Sequence, residues 1–419
     1  MDMMAPYIEN LHSQARTLLE ENLIPFWKTN LYNEEDGRFF GYIDRDGNGD
    51  PTRPVHAVLM CRALWAFSVA FSQTEDQECL VMADRLYAVL TTDFLDDHFG
   101  GIYSETTYEG IALSMQKRTF VQAFFIIAAA RYGRVSGNAN ALESAQDLFA
   151  LLKMHAQRSV GGFTDVLRRD WSDDEDGHIW WMNRHGAVYI FNSQLHMLEA
   201  AIELEEAVPT GYRTPLKEQL EFIANRFYRI EEGHLSGALS GDFEAVDATY
   251  AFGNELEAAY LMRRAAALCA AETTWASLSS TMVSKVVEHG WDEVHHGFFF
   301  SGSSSAEELN RCKVWWVQAE GLVALIDAYQ ADNVTNYLSL ALQLWQFIET
   351  NLVDHEIGEL RSSAPNPYTD ERSIAQQAAR DRRTGREKAS AFKCPYHTVR
   401  MCVEVLQRLG PALHTGRSH

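Results

Sequence analysis

The sequence predicts an all-α protein folded as an (α/α)6 barrel, a toroid of six inner and six outer helices. Long helical periodicities come in pairs, and a short glycine-aromatic stretch separates most pairs. These stretches are Gly37-Arg38-Phe39-Phe40-Gly41-Tyr42, Gly100-Gly101-Ile102-Tyr103, Gly161-Gly162-Phe163, a looser Gly237-Ala238-Leu239, Gly297-Phe298-Phe299 and Gly358-Glu359-Leu360. Their marker glycines Gly41, Gly101, Gly162, Gly237, Gly297 and Gly358 fall 60, 61, 75, 60 and 61 residues apart. Such a period is two helices of about 20 residues with their connections. Helices that repeat in pairs must stack to bury their faces, as an open solenoid or a closed ring. Six units suit closure, and no distinct polar capping repeat stands at either end.

The elements follow in order. Leu11, Ala15, Leu18, Leu19 and Leu23 recur at helical spacing between Pro6 and Trp27. Helices are expected near 5–29, 55–74, 77–95, 116–135, 139–157, 182–206, 212–230, 252–271, 274–290, 313–331, 333–352 and 394–410. The repeat supports one domain over residues 1–419. The longer spacing after Gly162, with Asp173-Asp174-Glu175-Asp176, reads as an inserted loop. Residues 362–389, with two prolines and a mixed-charge run, read as a lid or flexible segment. Pro395 suits the first turn of the last helix, where its missing N–H is not needed. Val399, Cys402, Val403 and Leu406 then form one buried stripe.

Composition narrows the function. Apolar residues make up 46% of the 419 residues, enough for a large core. With 58 acidic against 36 basic residues, the net charge is −22. That excess opposes binding to nucleic acid or to an anionic membrane surface. The six cysteines show no metal-finger spacing, and no apolar run reaches 18 residues. The expectation is a cytoplasmic protein with reduced thiols. Oligomeric state is open, a homodimer included.

Several helices carry polar strips. Arg62 interrupts an apolar surface, and a buried arginine needs an acceptor, whether a paired carboxylate or a substrate oxygen. Asn192, His196 and Glu199 share one helix face, as do Asn254, Glu257 and Tyr260. His196 and Glu199 at i, i+3 form half a metal site and lack a third ligand, so no metal is expected. Trp316 and Glu320 lie one turn apart; a ring that stacks on sugar C–H faces beside an acid that binds hydroxyls is a common sugar-holding pair. His397, two residues into its helix at the positive end of the dipole, should stay neutral near pH 7 and accept a proton. Singly, each also fits a core side chain or a self-satisfied network. Converging on one cavity, they make a site.

Two strings are more specific. Lys313-Val314-Trp315-Trp316-Val317-Gln318-Ala319-Glu320 and Lys393-Cys394-Pro395-Tyr396-His397 resemble the cellobiose 2-epimerase branch of the N-acylglucosamine 2-epimerase superfamily. The N-x-x-x-H-x-x-E-A string from Asn192 to Ala200 and the position of Arg62 are also similar. The resemblance implies an (α/α)6 barrel acting on the reducing end of a free sugar, with no required metal or nucleotide cofactor. It implies that His397 moves the C2 proton and that Arg62, Asn192, His196, Glu257, Trp316 and Glu320 line the sugar site. One departure stands out: where the family pattern is G-H-x-x-E-x-x-W, this chain has Gly253, Asn254, Glu257 and Tyr260. Phe392 also replaces a tryptophan of the disaccharide-acting members, which leans toward a monosaccharide.

Asparagine orients hydroxyls but does not exchange a proton near pH 7. The expected reading is therefore a sugar isomerase or 2-epimerase with His397 as main acid/base and His196 or Glu257 in place of the missing partner. Two alternatives stay open: a sugar-binding protein that has lost catalysis, and a glycosidase or lyase using Glu257 and Glu320 as paired carboxylates.

Overall fold

A computed structural model describes residues 4–174, 186–246, 248–270, 272–303, 309–384 and 387–415. The chain opens with α1 (Ala5–Thr17), which passes through a π-helical turn at Leu18–Leu23 into α2 (Ile24–Asn30). The expected single helix is thus interrupted just before Pro25, which cannot donate to an i−4 carbonyl. Then come α3 (Ala57–Thr74), α4 (Gln77–Thr92), α5 (Thr119–Ser136), α6 (Ala139–His155), α7 (Phe191–Ala207) and α8 (Arg213–Phe222). The second half holds α9 (Phe252–Leu268), α10 (Glu272–Gly290), α11 (Trp315–Asp332), α12 (Thr335–Asn351), α13 (Glu371–Thr384) and α14 (Pro395–Thr415).

Helices α3, α5, α7, α9, α11 and α14 pack side by side in that order, and α14 returns to α3. The ring is closed. Outside it, α4, α6, α8, α10 and α12 each pack on the inner helix they follow in the chain, and α1 packs on α14. Sequence pattern follows position. The inner α3 is buried at every residue from Ala57 to Ala70, whereas the outer α4 buries the stripe Cys79, Met82, Ala83, Leu86 and Leu90. By length and composition α3 alone, among the described residues, is apolar enough to cross a bilayer; here it is a ring helix.

The glycine-aromatic stretches owe their repetition to a side-chain clamp. The fourth residue of α5, Gln122, accepts from Ile102 N–H and donates to Ile102 C=O, both at 2.8 Å. Gln194 in α7 does the same to Phe163 at 3.0 and 2.7 Å, and Gln318 in α11 to Phe298 at 2.7 and 2.8 Å. Each clamp satisfies two buried backbone groups of the loop that precedes its helix. Gly101 and Gly297 have φ of +71° and +79°, and a Cβ there would sit 2.8 and 2.9 Å from the clamping oxygen. Glycine is required on both counts. Lysines two residues ahead of inner helices add buried ion pairs: Lys117–Asp96 at 2.8 Å, Lys313–Asp292 at 2.6 Å and Lys393–Glu359 at 2.8 Å.

One expected boundary changes, one expected loop lies partly outside the described residues, and one expected lid or flexible segment gains a helix. The helix expected near 182–206 begins at Phe191, because Tyr189–Ile190 is a strand paired with Ala238–Leu239; residues 182–185 lie outside the described residues. The inserted loop is described only to Asp174, so Glu175 and Asp176 also lie outside. The stretch 362–389 carries α13, whose Arg311–Asp370 and Gln376–Leu309 contacts tie it to the loop before α11.

Candidate active site

Every inner helix sends its first or second turn to one cavity of about 470 Å³. Arg62 comes from α3, Phe120 from α5, Asn192 from α7, Asn254 and Glu257 from α9, Trp316 from α11 and His397 from α14. Phe392, just ahead of α14, adds a second aromatic wall. Seven of the ten expected site residues therefore line the cavity. The other three, His196, Tyr260 and Glu320, are buried directly behind it.

His397 is 5% exposed, and its Nδ1 lies 2.5 Å from Glu320 Oε1. This is the geometry of an ion pair, yet the charges around it favour the neutral ring. Burial, then Arg62 and Arg400, hold His397 well below its ordinary value. Burial pushes Glu320 up to about 7 against the pull of Arg400 and Tyr260. The two groups share one proton near neutral pH. Burial and the neighbouring guanidinium groups thus act on His397 in the direction of the neutral ring.

Arg400 organises the floor. It donates to Glu257 Oε1 and Tyr260 OH at 2.7 Å each and also to Glu199 and Tyr396, and it lies 3.7 Å from Glu320. Sequence reasoning missed it. The available signal was a charged residue one turn beyond His397, set between Val399 and the apolar run Met401-Cys402-Val403, the same kind of signal that singled out Arg62. Burial pushes Glu199 up, but Arg400 and His196 outweigh it and hold the carboxyl at about 2. Burial and the like charge of Glu320 push Glu257 to about 7. Tyr396 donates to Glu199 Oε1 at 2.5 Å.

The remaining residues divide by position. Tyr260 donates to Glu320 Oε2 at 2.6 Å, so it orients the His397 partner and does not face the cavity. His196 Nδ1 is bound to Glu199 Oε2 at 2.9 Å, and its Nε2 is buried with no hydrogen-bond partner among the described residues. Arg62 stacks 4.3 Å from the Phe124 ring centroid, and among the described residues no carboxylate pairs with it; its polar contacts are Phe392 C=O at 3.5 Å and Cys394 Sγ at 3.8 Å. Trp316 sits 5.6 Å from the His397 ring.

Two sets of three donors, His196/Glu199/Glu257 and Glu257/Glu320/His397, each fall within 4.8 Å of one another. Arg400 bonds two of these carboxylates and adjoins the third, so a guanidinium already supplies the cation that such a cluster demands.

A closed double ring with an acid/base cluster beneath an aromatic-walled cavity is the (α/α)6-barrel class in which sugar epimerases and isomerases occur. Within that class, the chain belongs to the N-acylglucosamine 2-epimerase family, whose model matches residues 38–367. It is 26% identical over 417 residues to the cellobiose 2-epimerase of Dictyoglomus turgidum, covering 95% of this chain and 99% of that one. Among solved structures it is similar to a sugar epimerase from a ruminal bacterium, with TM-score 0.86, 27% identity and coverage of 95% and 98%. A D-mannose isomerase structure shares the fold, with TM-score 0.81, 21% identity and coverage of 94% and 97%.

Proposed function

We propose that this protein is a cofactor-independent sugar isomerase/2-epimerase that moves a proton at C2 of an open-chain aldose through an enediolate. The observation that carries this is His397: a neutral imidazole lining the cavity, its Nδ1 held by Glu320, leaving Nε2 as the nitrogen available to substrate. Nε2 takes the C2 proton, and Glu320 stabilises the imidazolium that forms. Arg62 lines the same cavity, has no carboxylate partner among the described residues and is suited to the enediolate oxygens. Six inner helices present their N-terminal turns here, and their dipoles favour the same negative charge. Trp316 and Phe392 stack on the sugar.

Two observations support aldose–ketose isomerisation over epimerisation. Asn254 lines the cavity where a second histidine would return the proton on the opposite face. Glu257, with a pKa of about 7, is the remaining proton carrier, and its oxygen lies within 4.8 Å of a His397 ring nitrogen. One base shuttling between C2 and C1 needs only one face. A paired-carboxylate glycosidase fares worse: retaining and inverting enzymes hold their carboxyls roughly 5–9.5 Å apart on either side of the bond. Here Glu257 lines the cavity but Glu320 is buried behind its wall, so the two carboxyls do not flank a bond in the cavity.

The test is incubation with mannose, glucose, fructose and cellobiose in D₂O, following C2–H of the aldoses and C1–H of fructose by NMR. Exchange is expected on at least one sugar, abolished in His397→Ala while sugar binding is retained. No exchange on any of them, with binding intact, would leave a sugar-binding protein instead.

A further inference from the structure

We propose that the substrate carries an anionic group, phosphate or carboxylate, at the end remote from its reducing carbon. This rests on the sugar-isomerase reading and names the class of sugar. Helix α13 places Arg380 and Arg383 at i, i+3, on one face, and both line the cavity. Arg380 lies 5.3 Å from the Phe300 ring and 5.8 Å from Trp315, whereas Arg383 is exposed. His397 lies nearly buried among the inner helices, so the two arginines mark the outer part of the same space.

The charges of the lining do not cancel. Lys393 is paired with Glu359 at 2.8 Å, Glu257 with Arg400 at 2.7 Å, and Glu387 lies beside Arg380. Arg62 and Arg383 are left; among the described residues neither has a carboxylate partner, and no hydrogen bond or ion pair holds Arg383. Arg62 faces the reacting end beside Phe392 and His397. Among the described residues Arg383 is therefore an unmatched cation at the far end, in a chain whose net charge is −22. A neutral hexose offers Arg383 only hydroxyls. A phosphate or carboxylate offers the paired oxygens that a guanidinium binds best. The aromatic walls, Trp316 and Phe300, keep the bound molecule a sugar rather than a bare anion.

The experiment compares mannose, mannose 6-phosphate and mannuronate with the full-length protein. It reads kcat/KM from C2–H exchange and binding by calorimetry, the latter on His397→Ala so that no turnover intrudes. One or both anionic sugars should exceed mannose by about tenfold or more in both readouts, with the excess shrinking as salt rises from about 20 to 200 mM. Whichever is preferred identifies phosphate or carboxylate. In Arg383→Glu the ratio of anionic to neutral sugar should fall at least about tenfold. Binding of all three sugars within twofold, or a ratio unmoved by Arg383→Glu, overturns the proposal. If no sugar exchanges but an anionic one still binds preferentially, the isomerase reading fails and the anion site stands.

Discussion

Replacing Glu320 by glutamine tests the proton-transfer machinery most directly. In the wild-type protein the ionised carboxylate accepts from His397 Nδ1–H at 2.5 Å, which leaves Nε2 unprotonated and able to act as a base. Tyr260 OH accepts from Arg400 at 2.7 Å, so its own proton goes to Glu320 Oε2 at 2.6 Å. In Glu320→Gln the amide carbonyl must therefore turn toward Tyr260, and the amide N–H groups face Nδ1. The ring is forced into the tautomer with hydrogen on Nε2, which cannot accept the C2 proton. Losing one acid/base typically costs about 10²–10⁴-fold, or about 3–5 kcal/mol of barrier. The same logic gives the wild-type enzyme an acidic limb. Protonating Glu320 below about 7 inverts the tautomer, so exchange should fall about tenfold per pH unit once well below that value. The assay is C2–H exchange in D₂O at saturating sugar from pH 5 to 9. A Glu320→Gln enzyme within threefold of wild type, or a wild-type profile flat through pH 7, refutes the reasoning.

Other outcomes follow from the same geometry. Asn254→His puts a second base on the cavity wall and should raise the ratio of C2 epimer to ketose product, measured by NMR; an unchanged ratio means α9 does not face C2. Glu257 has a folded pKa near 7 against an ordinary 4.5, so its contribution to stability is full below 4.5 and lost as pH rises through 7. Glu257→Gln removes that dependence: urea denaturation should show the variant gaining about 3 kcal/mol on wild type between pH 4.5 and 7.5. No relative gain contradicts the raised pKa. Gln318→Leu leaves Phe298 N–H and C=O buried without partners and should cost about 2–5 kcal/mol, read by chemical denaturation; a loss below 1 kcal/mol would mean the clamp is dispensable.

The ring was legible because it repeats: glycine markers at near-equal spacing report a unit that the fold uses six times. Arg62, Asn192, Asn254, Glu257, Trp316, Phe392 and His397 were legible as cavity residues because polar or aromatic side chains interrupt inner-helix stripes. Arg400 was not, since its meaning lies in partners 140 to 201 residues away. The glutamine clamps escaped for a related reason. A glutamine at the fourth position of a helix carries no local signal, and only the paired backbone groups of the preceding loop reveal it. Helix α13 hid behind its composition, since a short charged segment between prolines reads as solvated chain.

Ring closure ties the order of the chain to the chemistry. Of the six inner helices, the last in chain order brings both His397 and Arg400, while Glu199, Glu257 and Glu320 stand on the earlier α7, α9 and α11. Without Arg400 those three carboxylates would have to be buried together with no cation among them, which the interior resists by several kcal/mol. The helix that carries the base thus also carries the cation that lets three carboxylates be buried together.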